Sequence, residues 1–320
     1  MKNIAVILPA YNEELTISET IIDFHRALPD AQIWVVNNAS TDNTEQVAKD
    51  AFYSLVCKGG VLNEDRPGKG NAVRCGFGQI EADIYVLADA DMTYPADQVD
   101  RLIKPILSGR ADMVVGDRHS LGHYAAENKR PLHGLGNRLV VTLVNRLFDA
   151  DLRDIMSGYR VFSRRFVKNY PILVSGFEIE TDMTLHALDK KFRIVEIPIN
   201  YKDRPDGSVS KLNTLTDGVR VLSTIATVLR HYRPMAFFGT AAIIFALLGL
   251  LAGYPVIEEW FRMNYITHVP LAILATGLGI TSIVFGAIGL ILDSIAFQGR
   301  RSFERHLLSQ PNYTIQERFD

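Results

Sequence analysis

Asp89-Ala90-Asp91 sets two carboxylates two residues apart, directly after the apolar run Ile84–Leu87. At a strand end, such a pair can share one hard divalent cation, Mg²⁺ or Mn²⁺, directly or through water. These ions prefer oxygen donors and keep substrate phosphates in their shell. The chemistry on offer is stabilisation of a departing diphosphate. In isolation the tripeptide also suits a solvated turn. His119, His123 and His133 share one loop region without metal-site spacing. No Ser/His/Asp arrangement suggests hydrolysis, and Gly68-Lys69-Gly70 lacks the Walker A spacing.

Short β-branched runs at Ile4–Leu8, Ile33–Val36, Ile84–Leu87 and Met113–Val115 read as buried strands. Leu15–Ala27, Thr44–Ala51, Lys69–Phe77 and Ala96–Leu107 read as the helices between them, with Asp42 and Glu45 as a capping pair and Pro95 in a first turn. The alternation predicts an α/β fold with a mostly parallel sheet covered on both faces. Ligands of such folds bind at the carboxyl ends of the strands. The residues there are Pro9-Ala10-Tyr11-Asn12-Glu13, Asn37-Asn38-Ala39-Ser40, Asp89-Ala90-Asp91 and Gly116-Asp117-Arg118, and they should converge on one edge. An amphipathic helix is expected from about Leu132 to Phe148.

The formal net charge of −2 gives no electrostatic case for nucleic acid, and two cysteines, Cys57 and Cys75, offer neither a disulfide framework nor a CxxC pair. Met235–Ile257 and Val269–Leu292 contain no charged residue. Each is long enough to cross the ~30 Å hydrocarbon core as a helix. Arg230, Arg233, Arg300, Arg301 and Arg305 flank the outer ends, whereas Glu258 and Glu259 lie in the connection beside Arg262. By the positive-inside rule, both termini and the soluble part are expected in the cytoplasm, at the inner (plasma) membrane. Met1-Lys2-Asn3 runs straight into a strand pattern and does not read as a signal peptide. The expected division is a catalytic domain over 1–211, an amphipathic juxtamembrane helix over 212–233, a two-helix hairpin over 234–293 and a tail over 294–320.

IAVILPAYNEE (Ile4–Glu14), VVNNASTDNT (Val35–Thr44), GKGNAVR (Gly68–Arg74), DADMTYP (Asp89–Pro95), DIMSGYR (Asp154–Arg160), GFEIE (Gly176–Glu180) and RPDGSVSK (Arg204–Lys211) occur in one order. Together they resemble the family 2 glycosyltransferases of GT-A fold, and the hairpin resembles their polyprenyl-phosphate branch. The resemblance implies that Pro9, Ala10, Tyr11, Glu13 and Asp42 belong to a nucleotide pocket and that Asn38 contacts the base. Relatives commonly carry Asp at the Asn37-Asn38 pair, whereas Asn donates and accepts without charge. It further implies that Asp89 and Asp91 bind metal and the ribose region, Asp91 more directly. Lys69 and Arg74 are then placed to approach phosphate, Arg204 and Lys211 fold a loop over the diphosphate, and Arg118, Arg130 and Asn137 meet an acceptor phosphate, which a guanidinium matches two oxygens at a time.

Asp154 is the candidate base, or else a group that orients sugar or acceptor. Glu178, Glu180 and Asp182 read as sugar contacts or helix-start carboxylates. The implied reaction is inverting transfer of one sugar from a nucleotide-sugar, UDP preferred and GDP-mannose the alternative, to undecaprenyl phosphate. A homo-oligomer, such as a tetramer, is implied too. A processive synthase lacks support because no QxxRW is present, and the motif set argues against a nucleotidyltransferase. A non-catalytic nucleotide-sugar scaffold is the rival of another class.

Overall fold

The computed structural model describes residues 2–120, 131–176, 178–201, 226 and 229–310, with backbone alone for 131–138. Seven strands form one sheet: β1 (Ile4–Ala10), β2 (Gln32–Asn37), β3 (Gly59–Asn63), β4 (Ile84–Leu87), β5 (Met113–Asp117), β6 (Arg160–Ser163) and β7 (Ile194–Pro198). Their order is β3-β2-β1-β4-β6-β5-β7. All pairs are parallel except those of β6, which runs antiparallel to both β4 and β5. The carboxyl ends of β1, β2, β4 and β5 therefore share one edge, and the amino end of β6 reaches that same edge.

The helices between them are α1 (Ile17–Ala27), α2 (Thr44–Leu55), α3 (Lys69–Gln79), α4 (Val99–Leu107, after a single 3-10 turn at Ala96–Gln98), α5 (Pro131–Phe148), α6 (Arg164–Asn169) and α7 (Ile179–Asp189). Alternation along each strand divides the core. Val6, Leu8, Val35, Val86 and Val161 join Ile21, Phe24 and Leu102 on one face. The other face is aromatic: Phe77 meets Tyr85 and Phe162, with ring centroids 5.9 and 5.6 Å apart, and Phe162 stacks on Phe166 at 5.0 Å.

The four expected strands and the helices between them are present, while β3, β6 and β7 were not anticipated. Helix α2 runs on to Leu55, and its cap differs from the expected pair. Asp42 accepts from the Thr44 N–H, while Glu45 pairs with Lys49.

The chain divides between Thr214 and Leu215 into two compact units. The second contains α8 (Pro234–Met263) and α9 (Val269–Ser309), both long and apolar enough to cross a membrane. At 1.5 Å per residue, α8 and α9 span about 45 and about 60 Å, against a hydrocarbon core of ~30 Å. The tail expected from residue 294 is helical as far as Ser309, because nothing between Asp293 and Gln298 breaks the helix. Arg233 separates the helical residues 229–232 from Pro234, which starts α8 as prolines often do. The helices touch closely where glycine replaces a side chain: a Cβ on Gly249 would lie 3.3 Å from the Ala275 carbonyl oxygen. Most of the expected juxtamembrane helix lies outside the described residues.

Candidate functional site

The loops after β1 and β2 are bonded to each other. Asn12 takes a positive φ of 54°, a conformation asparagine tolerates better than most residues. Its N–H donates to Ser40 Oγ at 3.1 Å, and its Oδ1 accepts from the Thr41 N–H at 2.8 Å. The Glu13 N–H donates to Thr44 Oγ1 and the Glu14 N–H to Asp42 Oδ2. Asp42 is thus engaged in holding the turn. Pro9 is half-buried, Ala10 buried, and Tyr11 exposes 46% of its surface beside them.

Asn38, expected to contact the base, has its side chain bonded to neighbouring backbone in this structure. It is 4% exposed, and its amide donates to the carbonyls of Glu64 and Arg66, at 3.2 and 2.7 Å. Its Oδ1 accepts from the Gly68 N–H at 2.7 Å. Both amide hydrogens are therefore committed to the backbone that leads into α3. That backbone approaches residues 174–175 closely: Gly68 has φ 122°, and a Cβ there would sit 2.1 Å from the Ser175 carbonyl oxygen. Only glycine meets both conditions.

At the end of β4, Asp91 is 3% exposed, and its Oδ1 accepts from the Thr93 hydroxyl at 2.6 Å. Asp89 is more open and pairs with the Lys69 ammonium. Lys69 also meets Glu180 Oε1 at 2.5 Å, so it lies between two carboxylates. Burial disfavours its charge, but Asp89 and Glu180 override that and raise its pKa above the ordinary lysine value. The antiparallel β6 delivers Gly158 against this pair. A Cβ on Gly158 would lie 3.0 Å from both Asp89 Oδ2 and Lys69 Nζ, and the Gly158 N–H donates to the Tyr94 hydroxyl at 2.9 Å.

Arg118, after β5, meets Asp154 bidentately, Nε to Oδ2 at 2.7 Å and a terminal nitrogen to Oδ1 at 3.0 Å. Its guanidinium also stands over the Tyr201 ring, 5.7 Å from the centroid. Asp154 is fully buried. Burial alone would raise its pKa, but the charge and hydrogen bonds of Arg118 hold it below the usual carboxylate value. Such a group is a firm anchor for an arginine. Glu196 supports it by accepting from the Asp154 N–H at 2.9 Å.

Arg130, Arg204 and Lys211 lie outside the described residues, and Asn137 falls on α5 with its side chain outside them. Tyr94, Gly158, Tyr201 and Glu196 were not anticipated as site residues. Tyr94 and Gly158 sit inside motifs quoted above; for Tyr201 and Glu196 the sequence carries no comparable signal.

Among the described residues, no three acidic, histidine or cysteine side chains converge as a self-sufficient metal cage. Two carboxylates at a strand end do fit Mg²⁺ or Mn²⁺ held jointly with a diphosphate, the usual arrangement for a hard cation that keeps substrate oxygens.

The model of glycosyl transferase family 2 matches residues 5–170. The chain belongs to that family. This glycosyltransferase is 29% identical to glycosyltransferase AglJ of Haloferax volcanii, over 91% of the chain and 94% of the relative. It is 25% identical to the dolichyl-phosphate hexose transferase of the same organism, over 71% of the chain and 93% of the relative. Among solved structures it is similar to glucosyl-3-phosphoglycerate synthase from Mycobacterium tuberculosis in complex with Mn²⁺ and UDP-glucose. That match has a TM-score of 0.54 and 23% identity, covering 71% of the chain and 78% of the other. The likeness establishes the GT-A type of sheet for this glycosyltransferase.

Proposed function

We propose that this glycosyltransferase moves one hexose from a nucleotide-sugar to the phosphate of a polyprenyl lipid at the cytoplasmic membrane face, with inversion at the anomeric carbon. The observation that carries the reading is the union, in one chain, of two strand-end carboxylates, Asp89 and Asp91, with two helices of membrane-spanning length. An acceptor with its phosphate at the interface and its tail in lipid suits that union. The dolichyl-phosphate hexose transferase relative supports the acceptor class. Undecaprenyl phosphate is the acceptor proposed, and UDP-glucose or UDP-N-acetylglucosamine the donor. GDP-mannose is the second reading.

A phosphate monoester has a second pKa near 6, so at neutral pH it is already largely anionic. It needs positioning and desolvation more than a base. Arg118, aimed by Asp154, supplies a guanidinium suited to an acceptor phosphate. Asp91, with Asp89, would hold Mg²⁺ or Mn²⁺, which neutralises charge developing on the leaving diphosphate.

The test is to incubate membranes containing the chain with labelled nucleotide-sugars and extract with organic solvent. Lipid-soluble label with a UDP-sugar, dependent on added metal, is the expected result. Label only with GDP-mannose selects the second reading, and no label with any donor would favour a non-catalytic scaffold.

A further inference from the structure

Glu180 is the second residue of α7, and its side chain is 8% exposed. A carboxylate so buried needs a partner, and here it is Lys69 Nζ at 2.5 Å. The same ammonium contacts Asp89, one of the two strand-end carboxylates. Three elements distant in sequence, α3, α7 and the end of β4, thus meet through one lysine. Their backbones are locked independently: the Gly70 N–H donates to the Ser175 carbonyl at 3.0 Å, just before α7, and Gly158 walls the Asp89–Lys69 contact. A backbone bond thus joins α3 to the segment before α7 apart from the ion pairs.

What Glu180 changes is charge. A lysine paired with Asp89 alone would neutralise it and repel a cation. Shared between two carboxylates, Lys69 leaves the cluster one negative charge in excess.

We infer that Glu180 is a positioning residue, which through Lys69 keeps Asp89 oriented and negative enough to bind a divalent cation together with a nucleoside diphosphate. The inference rests on the proposed function for the identity of the ligand. In this assignment Glu180 acts through Lys69, the side chain it contacts.

The test measures Mn²⁺ binding by loss of the free-ion electron paramagnetic resonance signal, on the purified full chain, in the presence of UDP and separately of GDP. Glu180→Gln keeps the shape and removes the charge. It should weaken Mn²⁺ about tenfold, the scale set by one charge a few ångströms away, with little change in melting temperature. Glu180→Asp should recover part of the loss. In a Lys69→Met background, adding Glu180→Gln should weaken Mn²⁺ binding clearly less than in the wild-type background, because only the direct through-space attraction remains once the intermediary is gone. Wild-type Mn²⁺ affinity in Glu180→Gln, an equal loss in the Lys69→Met background, or no Mn²⁺ binding by the wild type with either nucleotide would overturn the inference. A wild type that binds Mn²⁺ with UDP yet gives no lipid-soluble label strikes the proposed function and leaves the relay standing.

Discussion

Arg118 Nε lies 2.7 Å from Asp154 Oδ2, and a second guanidinium nitrogen meets Oδ1 at 3.0 Å. This geometry separates two roles for Asp154. A base would give the rate an acid limb near its own pKa. Arg118 holds this carboxylate below the usual value, so a base would show its limb only at the acid end of a profile read from about pH 3 to 8, and an orienting group would show none. Asp154→Asn should cut kcat by about 10²-fold through misplacement of Arg118. The remaining activity should keep the wild-type pH profile across that range. A profile whose acid limb disappears in the variant would restore the base.

Asp91 is buried, with its Oδ1 fixed by Thr93, so its orientation is set before any ligand arrives. Asp91→Ala should abolish transfer while the protein stays folded and inserted, as read by its melting temperature and membrane fractionation. Thr93→Val should do less, since it removes a hydrogen bond worth about 1–2 kcal/mol but no ligand. Undiminished transfer by Asp91→Ala would reject the metal assignment.

The motifs after β1, β2, β4 and β5 were legible because each follows a short apolar run, and the edge where they meet follows from the parallel direction those strands share. What the sequence concealed is β6. Its four residues begin with a fully buried arginine, Arg160, whose guanidinium is satisfied by the carbonyls of Ser157 and Ile155 and the Thr184 hydroxyl. A charged residue opening a strand reads as surface. The antiparallel reversal it begins is what carries Gly158 to Asp89. Asn38 was legible as a special residue at a strand end, but not its direction, because an amide serves backbone carbonyls and ligand edges equally well.

Asn38 offers a direct contrast between those two uses. Its amide donates to two carbonyls and accepts from Gly68. Asn38→Asp keeps the acceptor, loses both donors and sets a carboxylate beside two carbonyl oxygens. Stability should fall by about 2 kcal/mol or more, with weaker donor binding following from a displaced loop. Chemical denaturation of the purified protein measures the first. Wild-type stability combined with a changed nucleotide preference would mean that the side chain reads the base instead.

His186 lies in the aromatic layer, 5.1 Å from Tyr170 and 6.0 Å from both Phe166 and Phe192 between ring centroids. Burial pushes its pKa down from 6.5 to about 4. The unfolded chain therefore takes up this proton first as pH falls. The folded state loses stability from 6.5 down to about 4, by about 3 kcal/mol at most. His186→Phe removes that proton uptake. Its melting temperature should vary less between pH 7 and 4.5 than that of the wild type, and an unchanged slope would refute the assignment.

Gly249 and Gly277 test whether the α8–α9 pair is held by close backbone approach. A Cβ at Gly249 would come within 3.3 Å of the Ala275 carbonyl oxygen and 3.4 Å of the Gly279 nitrogen, whereas at Gly277 it would meet nothing within 4 Å. Without water to drive apolar association, helices in lipid depend on such contacts, and small residues permit them. The bond from Ser282 Oγ to the Ala242 carbonyl, at 2.8 Å, needs the same proximity. Gly249→Ile should part the helices and lower the melting temperature in bilayer discs by several degrees. Gly277→Ala, in open space on the same pair, should leave it unchanged or raise it, the alanine gaining up to about 1 kcal/mol in helix propensity. Equal effects from the two substitutions would show that composition, not the Gly249 contact, holds the pair.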